Sequence, residues 1–173
     1  PDVLEKIRPL TYFVVEQAKT ARAFLKAVGT QTALQELHLE ELNEHTRPDA
    51  LHALLAPLRA GRDIGLLSEA GCPAVADPGA NLVALAQKEN IRVVPFIGPS
   101  SLLLALMASG LNGQRFAFQG YLPAKEVDRS KSLRELEAES RKKQQTQLFI
   151  ETPYRNRQMF DAILGACQAN TRL

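Results

Sequence analysis

The stretch Gly65–Gly79, GLLSEAGCPAVADPG, decides the reading of this chain. It begins as a short apolar run and empties into a loop punctuated by Gly71, Pro73, Pro78 and Gly79. A buried strand that ends in such a loop is the way an open α/β sheet presents its carboxyl edge to a ligand, because small residues let backbone N–H and C=O groups approach closely. Ala70, Gly71 and Cys72 are small enough for that purpose. The same glycines and prolines would equally build a tight strand-to-helix connection with no ligand, so both readings stand at this point.

Outward from this loop, apolar runs predict strands over Thr11–Glu16, Ile64–Ser68, Ile91–Ile97, Phe116–Leu122 and Gln147–Thr152. Segments of helical spacing lie among them: Ala18–Val28, Arg47–Ala60, Ala80–Glu89, Ser100–Ser109, Asp128–Lys142 and Tyr154–Cys167. Pro48 suits a first helical turn, while Gly61 and Gly110 suit positions just past helix ends. Leu34–Asn43 mixes strand alternation with helix formers and is read as an edge strand plus loop. Met107 and Phe116–Phe118 are expected in the core. The alternation of elements predicts an α/β protein with largely parallel sheets. The chain opens on Pro1 and stops at Leu173, where a further strand is expected, so it reads as an excerpt truncated at both ends with sheet edges left open.

The chain has 173 residues, 45% of them apolar, which is enough for a genuine core and excludes a disordered or collagen-like protein. A net charge of +2 is far from that of a dedicated nucleic-acid binder. Cys72 and Cys167 are too few for a disulfide framework, which points to a reducing, cytoplasmic setting. The apolar stretch Ser101–Leu111 is about half the roughly 20 residues a membrane helix needs, so no membrane role is expected. His38, His45 and His52 recur at seven-residue intervals without neighbouring cysteines, which matches no zinc motif, and no metal is expected.

A second turn, Ile97-Gly98-Pro99-Ser100-Ser101, follows the run Ile91–Ile97 and precedes an apolar helix. Either serine can cap that helix or offer a hydroxyl to a ligand. Taken in order, GLLSEAGCPAVADPG, FIGPSS, LMASGL, FAFQGYLP and LFIETPYR resemble the tetrapyrrole methylase superfamily of S-adenosylmethionine-dependent methyltransferases. Within it they are most similar to the branch that methylates ribose 2′-hydroxyls of small-subunit ribosomal RNA. The resemblance runs from about Gly65 to Arg155. It implies two α/β domains meeting at a cleft, here residues 1–97 and an incomplete 98–173, with S-adenosyl-L-methionine bound and the chains paired as homodimers. It assigns cofactor binding to Ala70, Gly71, Cys72, Ser100, Ser101 and Glu151. A bulky side chain at Gly71 is then expected to obstruct the cofactor and leave the fold largely intact.

Departures from the family pattern are equally specific. Where relatives that methylate RNA show E-D-T-R, this chain reads Glu16-Gln17-Ala18-Lys19; where they have S-D-A-G it has Glu69; and the glycine-containing loop after the family's first strand has no counterpart. These changes leave the methyl acceptor open. Methyl transfer from a sulfonium needs mainly alignment, worth on the order of 7 to 11 kcal/mol. A hydroxyl acceptor would also gain from a general base, for which Glu16, Glu69, Asp77 and Glu151 are the candidates, with Tyr121 as a polar positioner. Asp77 would alternatively close its own turn, and Glu151 cap the following helix. Asn112–Arg157 carries ten basic and six acidic residues, which makes this half the expected face for an RNA backbone, with Arg155 and Arg157 as phosphate-facing candidates. Arg129–Lys143 itself reads as a solvated helix laced with salt bridges, with Leu133 and Leu136 marking its buried edge. The expected function is thus an S-adenosylmethionine-dependent methyltransferase that O-methylates rRNA or another acceptor. A noncatalytic cofactor-binding or dimerisation module of the same fold is the alternative, as is a methylase of a tetrapyrrole or other small molecule.

Overall fold

A computed structural model describes residues 2–173, which divide into two compact units, Pro1–Ser100 and Ser101–Leu173. The first unit is built on a parallel sheet of order β2-β1-β3, formed by β1 (Tyr12–Val15), β2 (His38–Glu41) and β3 (Gly65–Leu67). β1 takes the centre because Phe13, Val14 and Val15 are apolar on both faces and wholly buried. Phe13 and Val15 pack on one side with Leu25 and Val28 of α2 (Ala18–Val28); Val14 packs on the other with Leu55 and with Leu82 of α5 (Gly79–Lys88). Helix α1 (Asp2–Ile7), which periodicity did not foretell, contributes Ile7 to the first of these clusters.

The helix expected over Arg47–Ala60 is broken into a 3-10 turn at Pro48–Ala50, α3 (Leu51–Leu54) and α4 (Ala56–Arg59). Pro57 has no N–H to offer the Ala53 carbonyl, and its ring crowds the preceding turn. A larger departure concerns Ile91–Ile97, which forms no strand. Val94 is 52% and Ile97 93% exposed, and among the described residues Arg92–Ile97 joins no ladder. Pro95 interrupts the run with a missing donor, and the outer edge of β3 stays unpaired among the described residues.

The second unit pairs β4 (Phe116–Tyr121) in parallel with β5 (Thr146–Ile150), joined by α7 (Glu126–Lys143). A register irregularity falls between Phe118 and Tyr121, where Gly120 takes a φ of 66°. Leu122, Leu133 of α7 and Met159 of α8 (Asn156–Ala166) form its core. The apolar helix α6 (Ser101–Ser109) buries Leu106 and leaves Met107 80% exposed, so the expected core position of Met107 is not observed; Phe116 is exposed as well. A hydrophobic helix can predict burial only where the unit supplies a second layer, and the short two-stranded sheet supplies little.

Candidate functional site

In the first unit, parallel pairing brings the carboxyl ends of β1, β2 and β3 side by side; β1 ends just before Glu16, β2 ends on Glu41, and Glu69 lies two residues past β3. Glu41 closes β2, and its Oε1 accepts a hydrogen bond from the Ala18 N–H at 2.8 Å, satisfying an open donor at the start of α2. Glu16 follows β1, and its Oε2 accepts from the Glu69 backbone N–H at 3.1 Å. The Thr20 hydroxyl of α2 donates to the Glu69 carboxylate. Sequence had named Glu16 and Glu69 separately; the structure joins them. Thr20 and Glu41 were missed because both contacts cross more than 20 residues, and the EQAKTAR segment offered only composition.

Beyond Glu69 the loop turns sharply. Gly71 has φ 75°, the left-handed region in which a side chain is strained, and a Cβ there would meet no atom within 4 Å. Ala70 and Gly71 are exposed and Cys72 half-buried. Among the described residues the N–H groups of Ala70, Gly71 and Cys72 have no hydrogen-bond partner, while the Gly71 carbonyl accepts a long bond of 3.4 Å from the Ser68 hydroxyl. Small side chains, open space and unused backbone donors fit a polar ligand such as S-adenosylmethionine at this strand end. The Cys72 thiol lies 3.8 Å from the Pro99 carbonyl, which seats the loop beside the turn Gly98-Pro99-Ser100; Ser100 is half-buried there.

Asp77 is engaged elsewhere. Its Oδ1 accepts from the N–H groups of Ala74, at 2.9 Å, and Gly79, at 2.8 Å, so it closes its own turn. That turn holds Ala74 and Ala76 at φ 66° and 52°. A Cβ on Gly79 would stand 2.6 Å from the same carboxylate oxygen, which is why glycine follows Pro78.

In the second unit Ser101 is the first residue of α6 and is exposed. Glu151 follows β5, and its side chain is 5% exposed. Its Oε1 accepts from the Thr152 N–H at 2.7 Å and pairs with Arg155 Nη2 at 2.8 Å, while Arg155 Nε donates to the Thr152 hydroxyl at 3.2 Å. This knot pins the 3-10 turn Pro153–Arg155 at the head of α8. Arg155 is therefore committed to Glu151 rather than free for a phosphate, and Arg157 stays exposed. Tyr121 is exposed at the end of β4. Along α7 the expected i,i+4 bridges form, Lys131–Glu135, Glu137–Arg141 and Glu139–Lys143. Among the described residues no three His, Cys, Asp or Glu side chains gather as a metal ligand set.

This architecture is shared with a solved structure. A methyltransferase, CobJ, superposes with a TM-score of 0.58 at 17% identity, over 97% of this chain and 70% of that one, which establishes a common fold. The sequence relatives are more specific. Ribosomal RNA small subunit methyltransferase I from Escherichia coli O157:H7 is 36% identical over 152 residues, covering 88% of this chain and 50% of its own length. The protein of that name from Mesorhizobium japonicum is 36% identical over 163 residues, covering 94% and 52%, and that from Vibrio cholerae is 39% identical over 114 residues, covering 66% and 38%. No protein-family model matches. The chain belongs to the tetrapyrrole methylase superfamily, in the branch of the ribosomal RNA small subunit methyltransferase I proteins, and spans about half the length of the curated relatives it matches.

Proposed function

We propose that this chain carries the cofactor loop and a proton-accepting carboxylate of an S-adenosylmethionine-dependent methyltransferase that O-methylates small-subunit ribosomal RNA. The observation that carries the reading is the loop Ala70–Cys72, with open backbone donors at a strand end and the Cys72 thiol against the Pro99 carbonyl. The names of the relatives support the RNA acceptor.

When bound, S-adenosylmethionine supplies a methyl group already activated on a sulfonium. The Ala70, Gly71 and Cys72 amides and the adjoining Ser100 hydroxyl then have to orient that group, since placement is the main catalytic requirement. Of the four carboxylates named from sequence, Asp77 and Glu151 are tied to neighbouring backbone and to Arg155. Glu16, whose Oε2 is steadied by the Glu69 N–H, is the best placed to accept a proton from a hydroxyl, with Glu69 beside it. Work in the cytoplasm as a homodimer accords with two free cysteines and with the exposed apolar side chains of Leu103, Leu104 and Met107 on α6.

Calorimetry on the full-length protein with S-adenosylmethionine and S-adenosylhomocysteine tests the cofactor, with saturable binding expected and no binding overturning the reading. Mass analysis of rRNA from a deletion strain tests the acceptor: loss of one ribose methylation is expected, and an unchanged pattern rejects rRNA as the substrate.

A further inference from the structure

Helix α7 hides one cation. Arg129 stands one turn before Leu133 on the face that Leu133 and Leu136 turn toward the core, and it is only 6% exposed. Its Nη1 donates to the Ala124 carbonyl at 2.9 Å, its Nε is buried with no hydrogen-bond partner, and among the described residues it forms no ion pair. Most of this charged group is thus withdrawn from water, with one neutral carbonyl as its acceptor and its Nε left unpartnered. Such a group awaits an oxyanion, because its planar fork matches the oxygens of a phosphate or carboxylate.

The surroundings define which oxyanion. Arg129 lines a cavity of about 610 Å³ with Ser130 of α7 and Gln158 of α8, both able to donate, and with the carboxylates of Glu126 and Asp161. Lys125 provides no side-chain cap for α7, whose first bond runs from the Arg129 N–H to the Lys125 carbonyl, so the N–H groups of Glu126, Val127 and Asp128 are open. The two acids oppose a free, doubly charged phosphate. A phosphodiester carries one charge and is flanked, in RNA, by a ribose hydroxyl that a carboxylate can accept from.

We propose that this cavity binds one phosphodiester of an RNA strand, with the Arg129 guanidinium on the phosphate oxygens and the Glu126 and Asp161 carboxylates serving the adjacent ribose hydroxyls. The proposal rests on the RNA-acceptor reading and deepens it by giving the RNA backbone an anchor.

Fluorescence anisotropy of the full-length protein with a labelled 12-nucleotide oligouridylate, the matching DNA, and inorganic phosphate as competitor tests it. R129K, which keeps the charge and loses the planar fork, is expected to weaken RNA binding about tenfold with the salt slope little changed. The paired change S130A/Q158A, on side chains outside the core, is expected to weaken it about threefold with folding retained. Affinity for S-adenosylhomocysteine should be unchanged in both. RNA should outcompete the DNA, and millimolar phosphate should compete weakly. Wild-type RNA affinity in R129K and in S130A/Q158A, or equal affinity for RNA and DNA, overturns the anchor alone. Absence of RNA binding by the wild-type protein overturns the RNA-acceptor reading together with it, and so does capture of an oligoglutamate peptide in place of RNA.

Discussion

Val14 and Val94 sit in runs of the same apolar, β-branched character, yet Val14 lies in a ladder on both sides and is fully buried, while Val94 joins no ladder among the described residues and is 52% exposed. β1 meets β2 through Tyr12–His38 and Val14–Glu40, and β3 through Val14–Leu66. Among the described residues the hydrogen bonds that hold the segment Ile91–Ile97 fall near its ends, from the Ile91 N–H to the Ala86 carbonyl and from Cys72 to Pro99. β-Propensity is thus a measure of fit to a neighbouring pleated surface, and without that neighbour the same residues remain extended and wet. The contrast reaches function, because the loop after β3 is braced by Glu16 and Thr20 through Glu69, whereas the turn after Ile97 is braced by one weak thiol contact.

The largest effect that would sharpen the contrast is expected at Phe13, which is completely buried beneath α2. Phe13→Ala should lower unfolding free energy by about 3 to 5 kcal/mol, read by urea denaturation. A loss below about 1 kcal/mol would mean that β1 is not the pivot of the unit. Next comes Asp77→Ala, which strips the acceptor from two backbone N–H groups and should cost about 2 kcal/mol while weakening cofactor binding indirectly through loop disorder. Asp77→Asn, which keeps one acceptor oxygen, should recover part of both.

Gly71→Val carries a backbone penalty of about 1 to 2 kcal/mol, since a φ of 75° is unfavourable to a β-branched residue. With no atom within 4 Å of a Cβ there, the fold is still expected to stay largely intact at that cost. Loss of cofactor affinity beyond the measured loss of stability would still mark this loop as the binding element. Smaller again is a pH effect in the second unit. The Thr171 hydroxyl, then the Gln168 N–H and Arg141, hold the Glu137 carboxyl below the usual carboxylate range. Because the folded value is the lowered one, this stabilisation is complete above the ordinary carboxylate value and is lost as pH falls through the lowered one. Acid titration by thermal unfolding should show it, and E137Q should flatten that limb. The smallest effect is expected for Val94→Thr, within about 0.5 kcal/mol of wild type. A large loss there would break the contrast by revealing a hidden partner for the segment.

Local signals carried much of this architecture. The spacing of Ala21, Leu25 and Val28 gave α2 within its observed bounds, with Gly29 at φ 73° closing it; the parallel strands β1, β3 and β4 lie inside the apolar runs that predicted them, and β5 starts one residue before its run. Leu34–Asn43, ambiguous by pattern, contains the edge strand β2. What sequence could not convey were pairings at a distance. Thr20 reaching Glu69, Cys72 reaching Pro99 and Glu41 capping α2 each depend on the register of parallel strands or on the return of the chain after α5. Arg129 had a local signal, four residues before Leu133 on the same helix face, but a cation in an apolar stripe reads as solvated until burial is seen.

The most direct test is a backbone amide titration of the isotope-labelled full-length protein with S-adenosylhomocysteine. The largest shifts are expected on Ala70, Gly71, Cys72 and Ser100, with Val94 and the α7 amides little changed. Saturable binding whose shifts bypass Ala70–Cys72 would contradict this expectation.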